Sequence, residues 1–247
     1  MIKVGVLGSR GRMGQTVCEA VQAADDLELA ATVDVGDGRD PLTGCDVVVD
    51  FTQPAAVMEN LRWCIEHRLN VVVGTSGFDR ARISEVAGWL AASQEARVLI
   101  VPNFSVGAIL MMRFAEQAAR FFPSAEIIEL HHPGKADAPS GTATRTADII
   151  DAARAAAGLG PAPDATVTGR PAARGARLGE VRVHSIRLAG LVAHQQVLLG
   201  APGETLTISH DSLDRVSFMP GVLLAIRGVG ALPAGLTVGI DGMLELS

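Results

Sequence analysis

The sequence predicts an α/β protein, in which an N-terminal doubly wound parallel sheet precedes a C-terminal α+β domain with an open mixed sheet. In the first hundred residues, short Val/Ile/Leu runs alternate with helix-like segments, as in a parallel sheet covered on both faces. Beyond residue 105 this alternation gives way to a long helix and to strands with a two-residue period. The predicted domains are therefore residues 1–105 with 216–247, and residues 106–215.

Each element of the first domain follows from local composition. Short apolar runs predict buried strands, and apolar residues recurring every three to four positions predict helices. The predicted strands are 2–8, 27–34, 46–52, 70–75 and 97–103, and the predicted helices are 13–24, 54–68 and 79–93. Pro54 suits the first turn of its helix, where a missing N–H costs nothing. Right-handed crossovers between the strands then favour a doubly wound sheet.

The second domain begins with a helix whose methionines, Met111 and Met112, are predicted core residues. The region 160–179 is rich in Pro, Gly and Ala and is predicted to be a loop. Two segments with alternating hydrophobicity are predicted antiparallel strands, with Pro202-Gly203 as a turn. The predicted elements are helix 106–122, strand 124–132, helix 142–158, strand segments 180–190 and 194–212, and a final segment 216–247 containing a helix and a strand.

Composition restricts the class of protein. The chain has 247 residues, of which 48% are hydrophobic and 19% charged, and this excludes a disordered chain. No apolar run reaches the roughly 18 residues typical of a membrane span, and a strand-like run begins at once in place of a signal peptide. A cytoplasmic protein is expected. A net charge of −6 argues against a nucleic-acid partner but leaves room for a local basic pocket.

The three cysteines, Cys18, Cys45 and Cys64, are far apart and form no C-x-x-C pair. Neither a disulfide framework nor a zinc site is indicated, and reduced, packed thiols are expected. No metal is predicted.

A glycine-rich turn follows the first strand in "VGVLGSRGRMGQ", with Gly8, Gly11 and Gly14 between strand and helix. Such a turn lets the backbone approach a pyrophosphate, and the helix N-terminus faces the negative charge. Asp34 follows Gly14 by twenty residues and can accept a hydrogen bond from a ribose hydroxyl. The pattern predicts a Rossmann-type dinucleotide site, although a tight turn without a ligand has the same glycines.

Two signals bear on the choice of dinucleotide. Arg10 and Arg12 in the turn suit the 2′-phosphate of NADPH, whereas Asp34 suits the free 2′-hydroxyl of NADH. Both NADH and NADPH are predicted cofactors. "GTSGF" and "VPNFS" follow the next strand ends, so Gly74, Thr75 and Asn103 are candidate nicotinamide contacts or ordinary turn residues.

The segment "ELHHPGKADAPSGTA" (129–143) combines three polar groups with the start of a helix. Ser140 or Thr142 can cap that helix, whose remaining amides suit a carboxylate. Lys135 adds an ammonium, and His131 and His132 can donate or accept protons near neutral pH. Neighbouring strand residues point to opposite faces, so one of the two histidines can instead be structural. A zinc site is disfavoured, because Glu129 and Asp137 are unconvincing ligands.

Six segments, "GSRGRMGQ", "VDFT", "GTSGF", "PNFSVGA", "ELHHPGKADAPSGTA" and "RLAGLVAHQ", resemble the dihydrodipicolinate reductase family of bacterial lysine biosynthesis. The resemblance covers essentially the whole chain, and the histidine–lysine segment is its most specific part. It implies reduction of a cyclic, unsaturated dicarboxylate with NAD(P)H to give tetrahydrodipicolinate. It also implies a homotetramer assembled through the sheet of the second domain.

The resemblance carries site residues onto this chain. His131 is the implied proton donor or acceptor and Lys135 the proton donor. Substrate binding falls to His132, Gly141 and Thr142. The cofactor-binding residues are Gly8, Ser9, Arg10, Gly11, Arg12, Met13, Asp34, Gly74, Thr75, Ser76, Val101, Pro102, Asn103 and Phe104. Two departures occur: Gly134 stands where many relatives carry a polar residue, and Ser76 where threonine is usual.

Two other functions stay open on the residues alone. One is another two-domain NAD(P)-dependent imine or amino-acid dehydrogenase. The other is a nucleotide-sensing regulator without catalysis, although no basic helix-turn-helix segment is present.

Overall fold

A computed structural model describes the protein over residues 1–93, 95–170 and 173–244. These residues divide into unit 1, made of residues 1–105 and 215–247, and unit 2, made of residues 106–214. Within the described ranges, no helix is long and apolar enough to cross a membrane.

Unit 1 is built on a six-stranded parallel sheet in the order β2-β1-β3-β4-β5-β11. Its strands are β1 (Ile2–Leu7), β2 (Leu27–Val33), β3 (Val47–Asp50), β4 (Asn70–Val73), β5 (Arg97–Ile100) and β11 (Gly235–Val238). Its helices are α1 (Arg12–Gln22), α2 (Val57–Glu66), α3 (Arg80–Ala92) and α6 (Met219–Val229). The predicted parallel sheet is confirmed, and all strand carboxyl ends lie along one edge of it.

The strands of unit 1 are buried on both faces, which explains their near-continuous valine runs. Val4, Val6, Val48, Val49 and Val72 are all 0% exposed. The order of strands reverses between β1 and β3, and ligands of open α/β sheets bind at such a switch point. Several element ends differ from the prediction: β5 stops at Ile100, three residues early, and α2 begins at Val57 and leaves Pro54 in a preceding turn.

Unit 2 contains a five-stranded mixed sheet in the order β10-β9-β6-β8-β7. Its strands are β6 (Ser124–His131), β7 (Ala176–Leu178), β8 (Val181–Arg187), β9 (Ala193–Ala201) and β10 (Glu204–Ser212). Its helices, α4 (Val106–Ala119) and α5 (Gly141–Ala156), pack on one face of the sheet. The other face carries alternating residues that are only partly buried.

One prediction about unit 2 is wrong in detail. β7 lies inside the predicted loop 160–179, because a three-residue strand is too short to show a period. The segments 180–190 and 194–212 form antiparallel strands as predicted, since β8 pairs in parallel and β9 antiparallel with β6, although β8 and β9 flank β6 and do not pair with each other. The predicted turn at Pro202-Gly203 joins β9 to its antiparallel partner β10. Residues 171–172 of the predicted loop and 245–247 of the predicted final segment lie outside the described residues.

Candidate active site

The glycine turn of unit 1 allows neighbouring backbone segments to approach each other closely. Gly8 has φ of +79°, and a Cβ on it would lie 2.5 Å from the carbonyl oxygen of Phe51. A Cβ on Gly14 would lie 2.0 Å from the carbonyl oxygen of Gly8, so α1 reaches the turn only because no side chain is present. Gly11 is the N-cap of α1 and has no capping side chain. The first backbone N–H groups of α1 therefore receive no hydrogen bond from an N-cap side chain.

A groove of about 870 Å³ lies at the carboxyl ends of β1, β2 and β3. Its lining includes Gly8, Gly11 and Asp34. The Asp34 carboxylate accepts from the backbone N–H of Arg10 at 2.6 Å and of Val35 at 2.7 Å. These hydrogen bonds lower the pKa of Asp34, so a fixed carboxylate stands at the groove.

The arginines of the turn have different surroundings. Arg10 pairs with Asp37 at 2.8 Å on the surface, whereas Arg12 lines the groove. Arg39 and Arg215 also line the groove and were missed by the sequence analysis. An arginine in a loop carries no local pattern, and only the fold brings it to a site.

The cofactor-binding residues predicted after β4 and β5 mostly stabilise the loops in which they lie. A Cβ on Gly74 would lie 2.2 Å from the Phe51 ring. Thr75 is buried and donates to Asp50 at 2.7 Å, and Asn103 Oδ1 accepts from the Ser105 N–H at 2.9 Å. Among the other predicted residues, Val101 and Phe104 are buried, Ser9 is partly exposed, and Ser76 and Pro102 are exposed. In the described part of the chain, the groove lining includes Met13 but not Ser9, Arg10, residues 74–76 or residues 101–104.

A buried carboxylate at the end of β3 joins these loops. Asp50 is 0% exposed and accepts from Thr52 through both N–H (3.0 Å) and hydroxyl (2.7 Å). It also accepts from Thr75 Oγ1 at 2.7 Å and Asn60 Nδ2 at 2.9 Å. Such a buried polar group is tolerated because its oxygens are hydrogen-bonded. The letters "VDFT" predict only a strand end, because the partners of Asp50 lie up to 25 residues away in the chain.

In unit 2, β6 places Glu129 and His131 on one face, two residues apart. Glu129 is 0% exposed and accepts from His131 Nδ1 at 2.5 Å. The Arg187 guanidinium donates to the same carboxylate at 2.8 and 3.0 Å. The backbone N–H of Ser140 donates to it at 3.3 Å, which ties β6 to the start of α5.

The charges of this group follow from its partners. Burial raises the pKa of Glu129, but hydrogen bonds from Arg187, Ser185 and His131 outweigh it and leave the pKa lowered. Burial is the largest influence on the pKa of His131 and lowers it; Glu129 raises it, the Lys135 and Arg187 charges lower it, and the net result is a lowered pKa. The group is therefore an ionised carboxylate compensated by Arg187, beside a neutral imidazole. Because Nδ1 donates to Glu129, Nε2 of that imidazole is an acceptor.

Lys135 and the start of α5 complete the cluster. Lys135 Nζ lies 2.7 Å from Asp137 Oδ1. Ser140, not Thr142, is the N-cap of α5 and accepts from the Ala143 N–H at 3.1 Å. A Cβ on Gly141 would meet nothing within 4 Å among the described residues, so this exposed end of the helix is open to a ligand.

The two adjacent histidines differ. β6 ends at His131, and His132 lies beyond it with an exposed side chain. The partner of His131 is Glu129, which the sequence analysis considered only as a weak zinc ligand. The two-residue period of the strand was a usable signal for this pairing. Among the described residues, no group of three or more His, Cys, Asp or Glu is suited to a metal ion.

Comparison with known proteins gives a consistent result over both units. The family described as dihydrodipicolinate reductase, N-terminus, matches residues 2–104, and that described as dihydrodipicolinate reductase, C-terminus, matches residues 107–244. The chain is 64% identical to 4-hydroxy-tetrahydrodipicolinate reductase of Nocardia farcinica over 247 residues, covering 99% of each chain. It is 61% identical to the enzyme of that name from Cutibacterium acnes, covering 100% of both.

A solved structure supports the same relationship. The fold matches dipicolinate-bound dihydrodipicolinate reductase from Paenisporosarcina sp. TG-14 with a TM-score of 0.84 and 35% identity. The match covers 98% of this chain and 99% of the other.

Proposed function

The chain belongs to the dihydrodipicolinate reductase family, and we propose which of its residues bind the cofactor, bind the substrate and transfer protons. The protein is a 4-hydroxy-tetrahydrodipicolinate reductase, an NAD(P)H-dependent oxidoreductase that forms tetrahydrodipicolinate in lysine and diaminopimelate biosynthesis. The cofactor is a pyridine nucleotide. The roles of individual residues, the use of both nucleotides and the assembly are the proposal.

Unit 1 is the dinucleotide-binding domain in this proposal. The close approach of Gly8 and Gly14 leaves a turn without side chains, and the amides at the start of α1 suit a pyrophosphate. The nicotinamide cofactor supplies the hydride when bound. The protein's part is to hold it through residues 8–13, Asp34, 74–76 and 101–104. The side chains of Thr75 and Phe104 are buried, so those two loops contribute mainly backbone groups.

Both NADH and NADPH are proposed to serve. Asp34 offers an ionised carboxylate to a ribose hydroxyl, while Arg12 and Arg39 line the same groove and suit a phosphate. Steady-state kcat/KM with each nucleotide tests this point. A preference beyond about a hundredfold, roughly 2.7 kcal/mol, contradicts dual use.

Unit 2 is the proposed substrate domain. One substrate carboxylate binds Lys135 and the amides of Gly141 and Thr142, and His132 contributes a further contact. An ammonium and a helix N-terminus are both suited to an anion. A relative of known structure was solved with dipicolinate, a planar dicarboxylate, which supports this class of ligand.

Proton transfer is assigned to His131 and Lys135. Reduction of the unsaturated ring leaves an electron-rich atom that needs a proton. Neutral His131 donates its only N–H to Glu129 and thus can accept a proton at Nε2. Lys135 has an ammonium proton to give. Only two of the 21 basic residues are lysines, Lys3 and Lys135, and a guanidinium cannot take the place of Lys135 because it holds its protons too firmly.

The observation that carries this proposal is the convergence of the buried Glu129–His131 pair, Lys135 and the open end of α5. Lys135→Ala is expected to lose turnover by about a thousandfold or more with nucleotide binding retained. Lys135→Arg keeps the positive charge, so it should bind pyridine-2,6-dicarboxylate yet lose turnover. Lys3→Ala is the matched control and should resemble the wild type. Wild-type turnover in either Lys135 variant rejects the role.

We also propose a cytoplasmic homotetramer assembled through the open face of the unit 2 sheet. That face carries Ile128, Leu130 and Leu198, which are only partly buried, and apolar residues of this kind suit an interface. Light scattering coupled to size-exclusion chromatography measures the mass of the assembly. A monomer at micromolar concentration contradicts the proposal.

A further inference from the structure

The carboxylate of Asp137 engages donors that the proposed substrate site offers to an anion. Its Oδ1 accepts from Lys135 Nζ at 2.7 Å. The ammonium of Lys135, and with it a backbone hydrogen bond from Gly141, lower the pKa of the Asp137 carboxyl, which is therefore ionised near neutral pH. Lys135 and Gly141 are also the groups proposed to bind a substrate carboxylate.

Asp137 is fixed in the fold by its backbone. Its carbonyl oxygen accepts from Arg187 at 2.6 Å, and Arg187 is itself held by Glu129. The side chain of Asp137 is 55% exposed. The carboxylate can therefore rotate into water while the loop stays in place.

We propose that Asp137 is a built-in competitor of the substrate, whose carboxylate occupies the anion site in the free enzyme and is displaced by the incoming dicarboxylate. The 2.7 Å contact with Lys135 Nζ must be broken or shared when a substrate carboxylate binds the same ammonium. Two carboxylates at one ammonium also repel each other. This inference rests on the proposed location of the substrate site.

The test is calorimetric titration of pyridine-2,6-dicarboxylate into the full chain with saturating NADH. Asp137→Asn keeps the shape of the side chain and removes its charge. The expected result is a dissociation constant lower than that of the wild type by about fivefold or more, since an exposed ion pair no longer has to be broken. Asp148→Asn removes the same charge from an exposed position on α5 and should stay within about twofold. Unchanged or weaker binding by Asp137→Asn overturns the inference.

A measurement on the wild type avoids dependence on the variant. The carbon resonance of the Asp137 carboxyl reports its pKa, which should rise when the dicarboxylate is added, because the ammonium of Lys135 then binds the ligand. A pKa that does not move overturns the inference. Lys135→Ala distinguishes a failure of the proposed substrate site from a failure of the role of Asp137. If this variant binds the dicarboxylate like the wild type, the proposed substrate site is wrong. If its binding is weaker, the site stands and the Asp137 variant alone tests the inference.

Discussion

Two glutamates of β6 form the same kind of group on opposite faces of one sheet. Glu129 is bonded to Arg187 and His131. Glu126, three residues earlier, is bonded to Arg174 at 2.5 Å and to His184 at 2.7 Å. Both groups therefore contain a carboxylate, a guanidinium and an imidazole.

Their surroundings differ. The Glu129 side chain is 0% exposed and accepts an amide from the start of α5, whereas that of Glu126 is 30% exposed and lies on the face without helices. Water screens an exposed ion pair and makes its contribution to stability small. A buried charge is destabilising unless its partners compensate it. The comparison teaches that residue types alone do not define a site; burial and the nearby helix N-terminus do.

The largest expected difference between the groups is in stability. Arg187→Met leaves Glu129 buried without its charge partner and should lower the free energy of unfolding by about 3 kcal/mol. Arg174→Met should lower it by at most about 1 kcal/mol at protein concentrations low enough to dissociate the proposed assembly, because Glu126 is then 30% exposed. Urea unfolding followed by circular dichroism suits this test, because Trp63 and Trp89 both lie in unit 1 and would not report on unit 2. Equal losses would remove the distinction.

The two glutamates should also differ in their effect on kcat. Glu129→Gln keeps an oxygen that can accept from His131 but removes the charge that supports the imidazole as a base. We expect kcat to fall about tenfold or more. Glu126→Gln changes an equivalent residue on the other face and should keep kcat within about twofold. A comparable fall in both variants would show that the effect arises from the sheet as a whole.

The smallest expected difference between the two groups is in the pH dependence of kcat. The pKa of His131 lies below its ordinary value of 6.5, so the neutral base persists to lower pH and kcat should fall with a midpoint below 6.5. Glu129 raises the pKa of His131, so Glu129→Gln should move the midpoint further down. Glu126→Gln should leave it unchanged. A midpoint above 6.5 in the wild type contradicts the assignment of His131 as the base.

Much of this chain could be read locally. The glycines at 8, 11 and 14, the valine-rich strands and the cap at Ser140 act within a few residues of their own position. For that reason the parallel sheet, the turn and the start of α5 were predicted, and the structure differs mainly at element ends. β7 and the parallel pairing of β8 were not predicted, because pairing depends on strands far apart in the chain.

The chemical groups of the histidine–lysine segment, and the strand and helix that carry them, are predictable from the chain alone because period and capping are local properties. The partners of these groups depend on the folded arrangement of distant segments. Arg187 lies 58 residues from Glu129 and reaches it because β8 aligns Arg187 with His131. Burial between β6 and α5 then lowers the pKa of His131, and no local pattern encodes burial of that kind.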